Sequence, residues 1–434
     1  MLATRRAALV KTMFRSLLVR NYRLFATGQL VKLIGSWMMF IAQDWLVLSL
    51  SGNSATALGI VTALQFIPAA LLTLAGGKLA DRYDKRFILL VANSFWTVLA
   101  LAFSLLVLVG TVQLWHIYVF ALFLGVAQAI ETPVRQSFVS ELVGSPLLPN
   151  ALSLSAATFN TARIVGPALA GLAIAAFGTG PVFLIAAVSS ISPLLGLARM
   201  RPGDLFRKEL PPLDERADAR ILDGLKYVWQ RPDLRLPVLL IGVIGMAGFN
   251  FQLTLAALAK TVFHTGAAAF GLFTTALAVG ALGGALAGTF RKGRPSVYLM
   301  LSAAILFSAA ELLVGLAPSF WLVIALLVPT GFFMVFFAQS ANQRVQLGSE
   351  AAYRGRVMAL YVLVFLGTTP VSSPIIGWAA EHLGAGASIW LGGAISLIAA
   401  LVALAWQLRH AGDRLEFRVR PVPKLTVSAA RGLG

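Results

Sequence analysis

The sequence predicts an all-α membrane protein with twelve transmembrane helices, arranged as two six-helix bundles. Of its 434 residues, 58% are hydrophobic and only 12% are charged, which is far from the balance of a soluble domain. Many apolar stretches are near 20 residues long, the length that a helix needs to cross a bilayer core. Two segments that start at Gly76 and Gly283 both read Gly-Gly-x-Leu-Ala and both lead into a basic cluster. This repeat indicates a duplicated unit.

The apolar stretches form two groups of six predicted spans, separated by a polar loop. The spans run over residues 24–50, 54–76, 87–110, 115–140, 150–177, 180–199, 237–262, 268–290, 296–316, 320–343, 355–381 and 386–408. They predict an N-terminal bundle at 24–199, a central loop at 200–236, a C-terminal bundle at 237–408, and terminal segments at 1–23 and 409–434. Because six is an even number, both bundles enter the membrane from the same side, which predicts a cavity between them.

The central loop contains one stretch with helical spacing. Its apolar residues are Ile221, Leu222, Leu225, Val228 and Trp229. This spacing predicts either a short helix on the membrane surface or a solvated linker with a single helical turn.

The net charge of +18 is concentrated on one side of the predicted membrane. Basic residues fill the segment 1–23, the loop after the second span, the central loop and the tail 409–434, whereas the loops at 51–54, 111–114, 178–181 and 317–319 carry none. Only Lys260 lies near that opposite side. This asymmetry predicts a multi-pass protein with both termini in the cytoplasm. Its charge then has anionic membrane lipids, and no nucleic acid, as partners. The alanine- and arginine-rich usage suggests a bacterial inner membrane.

The composition also argues against catalytic and cofactor chemistry. The absence of cysteine excludes disulfides, thiolate metal sites and thiol nucleophiles, and the four scattered histidines have no metal-ligand spacing. No phosphate-binding loop is present, so ATP is not expected to drive the protein. The segment 1–23 has no cleavable signal pattern. We therefore expect a protein that is not an enzyme and holds no cofactor.

Several motifs resemble the major facilitator superfamily. The stretch Gly77-x-x-x-Asp81-Arg82-x-x-Lys85-Arg86 is similar to the signature loop between its second and third spans, although Asp84 stands where that motif often has glycine. Arg163-Ile-Val-Gly166-Pro167, continued to Gly171, is similar to the fifth-span motif of antiporters and exporters. Asn21–Phe25, Trp45–Leu48, Pro133-x-Arg135-Gln136 and Gly224–Val228 resemble the branch that contains enterobactin exporters and macrolide or multidrug efflux carriers.

The resemblance implies a twelve-helix drug:proton antiporter type of carrier that works by alternating access, and we expect it to act as a monomer. It also implies a gating loop, made of Gly77, Asp81, Arg82, Lys85 and Arg86, that locks the two halves together when the carrier faces outward. Asp81 is suited to cap a helix N-terminus, although positive charge alone would equally explain Lys85 and Arg86. The second copy has Gly288 where the first has Asp81, so its lock is expected to be weaker or absent.

The charged residues predicted inside the spans are candidates for mechanism, because charge is costly in hydrocarbon. Asp44 could hold a proton near neutral pH or recognise a cation, or it could be a structural acid of the outer vestibule. Glu131 and Arg135 are four residues apart and can pair directly, either as a coupling pair or as a structural ion pair beside Pro133. Arg163 is expected near mid-membrane, where Glu131 is its expected partner and an acidic substrate is the alternative.

Further interior residues are expected to pack or to line the cavity. Glu311 is a further acid within the spans, and Arg344 is expected to have a structural role near the cytoplasm of the second half. Gly166, Pro167 and Gly171 are expected to bend or thin the fifth span where the halves meet, and Gly280, Gly284 and Gly288 to pack closely. The candidates for the cavity wall are Trp37, Gln43, Trp45, Gln65, Asn160, Asn250, Gln252, Gln339 and Asn342, with Phe66, Phe249, Phe251 and Phe337 as further aromatic candidates.

These features favour a secondary active transporter that exports amphiphilic small molecules, such as a drug or a siderophore, in exchange for protons. Lipid or lysophospholipid translocation by the same fold is an alternative. A non-transporting membrane sensor or scaffold is an alternative of another class, and the buried charges count against it. An integral membrane enzyme has the least support, because nothing resembles a nucleophile–base pair.

Overall fold

The protein is a bundle of membrane-length helices. The computed structural model describes residues 14–206, 221–289, 293–411, 414–418 and 424–428. Its helices are Arg20–Leu50, Ala55–Arg82, Lys85–Val109, Leu114–Phe177, Thr179–Ser189, Ile191–Ala198, Ile221–Gln230, Pro232–Gly248, Phe251–Ala257, Ala267–Thr289, Val297–Leu316, Phe320–Gly348, Ala351–His382 and Ala385–Ala411. Short 3₁₀ turns cover Arg15–Leu18 and Pro202–Asp204, and a π turn covers Leu258–Val262.

Twelve spans result once the longest helix is divided. Among the described residues, eleven helical segments are long and apolar enough to cross a membrane. The helix Leu114–Phe177 has 64 residues, and a straight helix of that length would measure roughly 95 Å, far more than a bilayer. It bends at Gly144, whose φ of 68° lies in the left-handed region that glycine adopts without strain. Leu114–Phe177 therefore supplies the fourth and fifth spans, and the predicted fold class is confirmed.

The structure differs from the predicted elements at several breaks. The predicted loop 141–149 is helical on both sides of Gly144, and Pro146 is tolerated close to the start of the fifth span. The sixth span, Thr179–Ala198, is interrupted at Ser190. The seventh span, Pro232–Val262, leaves helical geometry at Phe249 and Asn250 and ends in the π turn. Hydropathy alone does not show such breaks, because the residues on both sides stay apolar.

The chain after the last span contains two strands that the sequence did not predict. Arg414–Arg418 pairs antiparallel with Lys424–Ser428, with Leu415 opposite Val427.

Where the sequence allowed either a short helix or a linker with a single helical turn, the structure shows a helix. Ile221–Gln230 packs against the eleventh span, where Gly224 approaches the backbone of Arg356 and Val228 is buried. Directly after it, the guanidinium of Arg231 donates to Asp233, 3.0 Å from Nε to Oδ1, and this bond raises the pKa of Arg231. The rest of the predicted loop, residues 207–220, lies outside the described residues.

Small residues bring neighbouring spans into close contact. Gly280, Gly284 and Gly288 form one face of the eighth span and lie against Val328, Phe332 and Gln339 of the tenth. A side chain at any of the three glycines would collide with the tenth span. Their predicted packing role is therefore seen.

The two halves are joined mainly toward one side of the membrane. We call the side that carries the loop of Tyr83 and Asp84 and the residues 199–206 and 221–231 the basic side, and the other the opposite side. Near the opposite side, the second span meets the eleventh, where Gly59 lies against Pro374. The fifth span meets the eighth there, where Gly171 lies against Ala268. The chamber between the halves is thus sealed at the opposite side in this structure.

Candidate transport chamber

One face of the first span forms the wall of the chamber. Gln29, Lys32, Ser36, Trp37 and Phe40 line internal cavities, and they recur at the spacing of one helix face. Asp44 continues the same face toward the opposite side, about 18 Å along the helix from Lys32 by helical rise. A single helix therefore carries a cation, two aromatic rings and an acid in line along the chamber.

A buried cluster of charges lies in the half of the chamber nearer the basic side. Glu131 of the fourth span is 3.2 Å from Arg135 and 3.4 Å from Lys32, measured from its Oε1 to Nε and Nζ respectively. The pairing of Glu131 with Arg135 was predicted from their spacing, and the structure shows it. Lys32 comes from the first span, so the cluster also ties the first span to the fourth.

Two polar atoms in this cluster are held mainly by the charge of their neighbours. Glu131 Oε1 and Arg135 Nε have no hydrogen-bond partner of good geometry, although both are buried. Lys32 donates its short hydrogen bond to Asn93 Oδ1, at 2.8 Å, and lies 5.0 Å from the centre of the Trp96 ring.

Lys32, Asn93 and Trp96 belong to the site although the sequence did not predict them. Lys32 lies inside the first predicted span and is 4% exposed, so its position in an apolar stretch was the available signal. Asn93 and Trp96 carry no such signal, because polar and aromatic residues are common in spans.

A cavity of about 110 Å³ adjoins the charged cluster. Gln128 and Thr132 of the fourth span and Phe159 of the fifth complete its wall. Lys32 and Arg135 provide two positive charges here against the single negative charge of Glu131.

Arg163 lies in a second cavity, of about 160 Å³, on the side of Trp37 that is away from the cluster. Its guanidinium carbon is 6.0 Å from the centre of the Trp37 ring. The wall includes Phe249, Phe251 and Gln252 of the seventh span. Both cavities have Trp37 and Phe40 in their walls, so they are adjacent, and we call the two together the chamber.

The predicted pairing of Arg163 with Glu131 is wrong. Glu131 pairs with Lys32 and Arg135 instead, and among the described residues no carboxylate forms an ion pair with Arg163. The aromatic face of Trp37 takes that place by a cation–π contact.

Asp44 closes the chamber at the end nearer the opposite side. It is 1% exposed, and its Oδ2 accepts a hydrogen bond of 3.0 Å from Gln252 Nε2 of the other half. Gln252 also lines the cavity of Arg163. One amide side chain thus connects the carboxyl group of Asp44 with the wall of the chamber.

Two further contacts between the halves lie beyond Asp44. Lys260 donates to Ser49 Oγ at 2.9 Å and lies 4.8 Å from the centre of the Trp45 ring. Glu381 of the eleventh span accepts from the hydroxyl of Ser54, at 2.6 Å, and from the backbone N–H of Thr56, at 2.9 Å. Together with the bond between Asp44 and Gln252, these contacts form what we call the outer seal.

Only some of the other residues predicted to line the cavity do so in the structure. Trp37, Gln252, Phe249 and Phe251 line the chamber, as was expected of cavity residues. Gln43 and Gln65 instead bond to each other in a buried position, 3.3 Å apart. The amide of Asn160 is used within its own helix.

The second half holds four further candidates for the wall. Asn250 binds Ser372 and the backbone of Met246, beside the break in the seventh span. Gln339 packs against Gly288, Phe337 is fully buried in the core, and Asn342 is half-buried on the tenth span.

The residues of the predicted gating loop lie mostly in helices. Gly77, Asp81 and Arg82 belong to the last turns of the second span, and Lys85 and Arg86 begin the third. The side chain of Asp81 lies outside the described part of the structure. Asp84 caps the third span by accepting from the backbone N–H of Phe87 at 3.0 Å. The cap falls there because Asp84 directly precedes the first residue of that helix.

Two cations of the loop, Lys85 and Arg86, bind within their own half in this structure. Lys85 pairs with Glu141 of the fourth span. Arg86 donates to the backbone carbonyls of Leu197 and Ala198, at the end of the sixth span.

The Gly-Pro motif of the fifth span lies where three spans meet. Gly166 faces the first span at Ile34 and Trp37, while Pro167 and Gly171 face the eighth span at Gly271. Their small size lets the fifth span contact both halves at once.

Two buried charges lie in the second half. Arg344 bonds the backbone carbonyl of Pro295 and accepts at its own carbonyl from Arg294, which agrees with a structural role near the basic side. Glu311 is 3% exposed and lies against Gly248, where the seventh span breaks.

Comparison with known proteins gives a consistent group of relatives. The chain is 26% identical over 59% of its length to a staphyloferrin A transporter of Staphylococcus aureus, and that match spans 64% of the relative. It is 24% identical to the multidrug efflux pump Tap of Mycolicibacterium fortuitum, over 81% of this chain and 87% of the pump. It is 25% identical to the enterobactin exporter EntS of Escherichia coli, over 82% of this chain and 83% of the exporter.

Solved structures show the same fold at low identity. The nucleoside transporter NupG superposes with a TM-score of 0.68 at 11% identity, covering 89% of this chain and 98% of NupG. A D-xylose–proton symporter gives a TM-score of 0.67 at 15% identity, covering 88% and 96% of the two chains. The family described as transmembrane secretion effector matches residues 10–431. The chain is therefore a member of the transmembrane secretion effector family within the major facilitator superfamily of transporters.

Proposed function

We propose that this transporter is a proton-coupled exporter of amphiphilic small molecules, with its basic side and both termini in the cytoplasm of a bacterium. The observation that carries the proposal is the position of Asp44: a buried carboxyl group bound across the outer seal by Gln252, at the end of a charged chamber. The relatives named as siderophore or drug transporters support the direction of transport.

The coupling follows from what must break when the transporter opens outward. Opening the outer seal separates Gln252 from Asp44 and Lys260 from Ser49, because each bond joins the two halves. Asp44 then meets external water and can take up a proton, while substrate leaves the chamber. On return to the structure seen here, the carboxyl group is enclosed again beside the chamber, from which its proton reaches the cytoplasm.

The charges of the chamber favour a substrate with an acidic group. Among the described residues, Lys32, Arg135 and Arg163 line the two cavities, against Glu131 as the only acid. In the part of the chain that the structure describes, Arg163 has no carboxylate partner, and the rings of Trp37, Phe249 and Phe251 line the same cavity. We propose that an aromatic or apolar molecule with a carboxylate or similar anion places its negative charge at Arg163.

The coupling can be tested in reconstituted vesicles with a pH gradient. Vesicles that contain the purified full-length protein should accumulate the fluorescent acid dansylglycine in response to the gradient. Asp44→Asn should bind dansylglycine but should not accumulate it when the gradient is applied, because an asparagine cannot exchange a proton. Asp204→Asn, at an exposed site outside the chamber, is the matched control and should behave like the wild type. If Asp44→Asn and Glu131→Gln both keep gradient-driven uptake, the coupling assignment is wrong.

The charge preference can be tested separately by binding, without transport. Dansylglycine, dansylamide and dansylethylenediamine share one aromatic group and differ in charge, and energy transfer from tryptophan reports their binding. The wild type should favour the anion over the neutral amide by roughly tenfold or more, as expected for a charged hydrogen bond.

Arg163→Gln should remove this preference, whereas Arg163→Lys and the exposed control Arg409→Gln should keep it. Equal affinity of the wild type for all three dyes would contradict an anion site. Proton-driven export of a different kind of substrate would then still be decided by the vesicle experiment.

A further inference from the structure

Two apolar grooves flank the seventh span on its outer surface. Their volumes are about 490 and 440 Å³, each of the size that a fatty-acyl chain fills. The first groove lies between the seventh and eleventh spans and the helix Ile221–Gln230, and the second lies between the seventh and twelfth spans. Leu239 and Val243 form the ridge between them and are 48% and 42% exposed. The grooves therefore face the lipid and are separate from the chamber.

Small residues create the space in both grooves. Gly242 and Ala247 leave room in the first groove, and Ala399 and Ala403 leave room in the second. Larger side chains at these places would make the outer surface of the bundle flat.

Both grooves meet at Arg235 and Trp229, near the basic side. The guanidinium carbon of Arg235 is 5.9 Å from the centre of the Trp229 ring. Within the described ranges of the chain no carboxylate pairs with Arg235, whereas the neighbouring Arg231 is paired with Asp233. A tryptophan and an arginine together at the start of a span are typical of the level of the lipid headgroups.

We propose that these features form a binding site for a diacyl phospholipid with an anionic headgroup. The phosphate contacts Arg235, and one acyl chain occupies each groove on either side of the ridge. From Arg235 to Ala247 the seventh span rises about 18 Å, which matches the depth of one lipid leaflet. Anionic lipids are enriched in the leaflet that faces the cytoplasm, which is the proposed location of the basic side. The lipid is a resident ligand here and not the cargo, because the site faces away from the chamber.

The headgroup part of the proposal can be tested by native mass spectrometry on the purified full-length protein. Phosphatidylglycerol and phosphatidylcholine with identical chains are added together after removal of bound lipid. The wild type should retain phosphatidylglycerol about fivefold or more in excess of phosphatidylcholine. Arg235→Gln should lose the preference and Arg235→Lys should keep most of it. Arg199→Gln, which removes an exposed charge from the basic side of the other half, should match the wild type.

The groove part can be tested with a variant that fills one groove and leaves Arg235 in place. Ala399→Phe should reduce the preference for phosphatidylglycerol over its single-chain lyso form, while the preference for an anionic headgroup stays. The site is wrong if the wild type shows no preference for phosphatidylglycerol, or if Arg235→Gln keeps that preference. Either result would mean that the protein binds only exchangeable annular lipid. If Arg235→Gln loses the preference for the two-chain lipid over its lyso form and Ala399→Phe keeps it, the proposed placement of the acyl chains is wrong.

Discussion

At the residue scale, the chamber depends on a few charges whose partners lie on other helices. Spacing along one helix predicted the pair of Glu131 with Arg135, because residues four apart share a face. It could not predict that Lys32 completes the cluster, or that Arg163 contacts Trp37 and not Glu131, since both contacts join different spans. The sequence pattern thus indicates which charged residues are buried. Their partners can be identified only once the packing of the helices is known.

Removing the acid of the charged cluster should destabilise the protein. Glu131→Gln leaves Lys32 and Arg135 close together without a negative charge, in a site where the Glu131 side chain is 9% exposed. Breaking such a buried pair typically costs about 3–5 kcal/mol of unfolding free energy. Thermal unfolding in detergent should therefore show a clear loss. The triple variant Lys32→Met, Glu131→Met and Arg135→Met removes all three charges and should recover most of it. A Glu131→Gln variant as stable as the wild type would show that the cluster contributes no stability.

At the element scale, the ends of most spans follow from hydropathy, but their breaks do not. The predicted span 268–290 corresponds to the helix Ala267–Thr289, because the ends of an apolar run are the points where a helix leaves the bilayer. The bend at Gly144 and the break at Phe249 and Asn250 depend on local geometry and on contacts with neighbouring spans. The break at Phe249 and Asn250 helps to position the site, because Gln252 follows shortly after it.

The contact of the fifth span with the eighth should control the outer seal. Gly271 lies against Pro167 and Gly171, so a side chain in Gly271→Val forces the two spans apart at the opposite side. Overpacking of this kind costs about 1–3 kcal/mol, enough to shift a two-state equilibrium toward the outward-open form. A single cysteine at Ser36, in the chamber wall, should then react more slowly with a membrane-impermeant maleimide added from the basic side.

This experiment has a simple background and a matched control. The natural chain has no cysteine, so only the introduced thiol reacts. Gly266→Val is the control, because a side chain at Gly266 meets no atom within 4 Å. Unchanged labelling of Ser36→Cys in Gly271→Val would show that the seal does not depend on this contact.

At the scale of the whole molecule, the repeat predicted the two bundles and a cavity between them, because a duplicated unit that enters the membrane twice from one side must enclose an interface. It could not predict which side is open. That property depends on the contacts of the outer seal, such as Glu381 with Ser54, which have no sequence signature. Both halves of the repeat contribute to the chamber, as the bond between Asp44 and Gln252 shows.

The most direct test of alternating access is a pair of distance measurements by double electron–electron resonance, on the full-length protein in lipid nanodiscs. One pair of spin labels replaces Thr111, in the loop before the fourth span, and Trp321, in the first turn of the tenth span, both at the opposite side. The other pair replaces Tyr83 and Glu350 at the basic side. On addition of dansylglycine and a shift to low pH, the distance between Thr111 and Trp321 should lengthen while that between Tyr83 and Glu350 shortens. If both distances stay unchanged, or lengthen together, the two halves do not exchange access to the chamber.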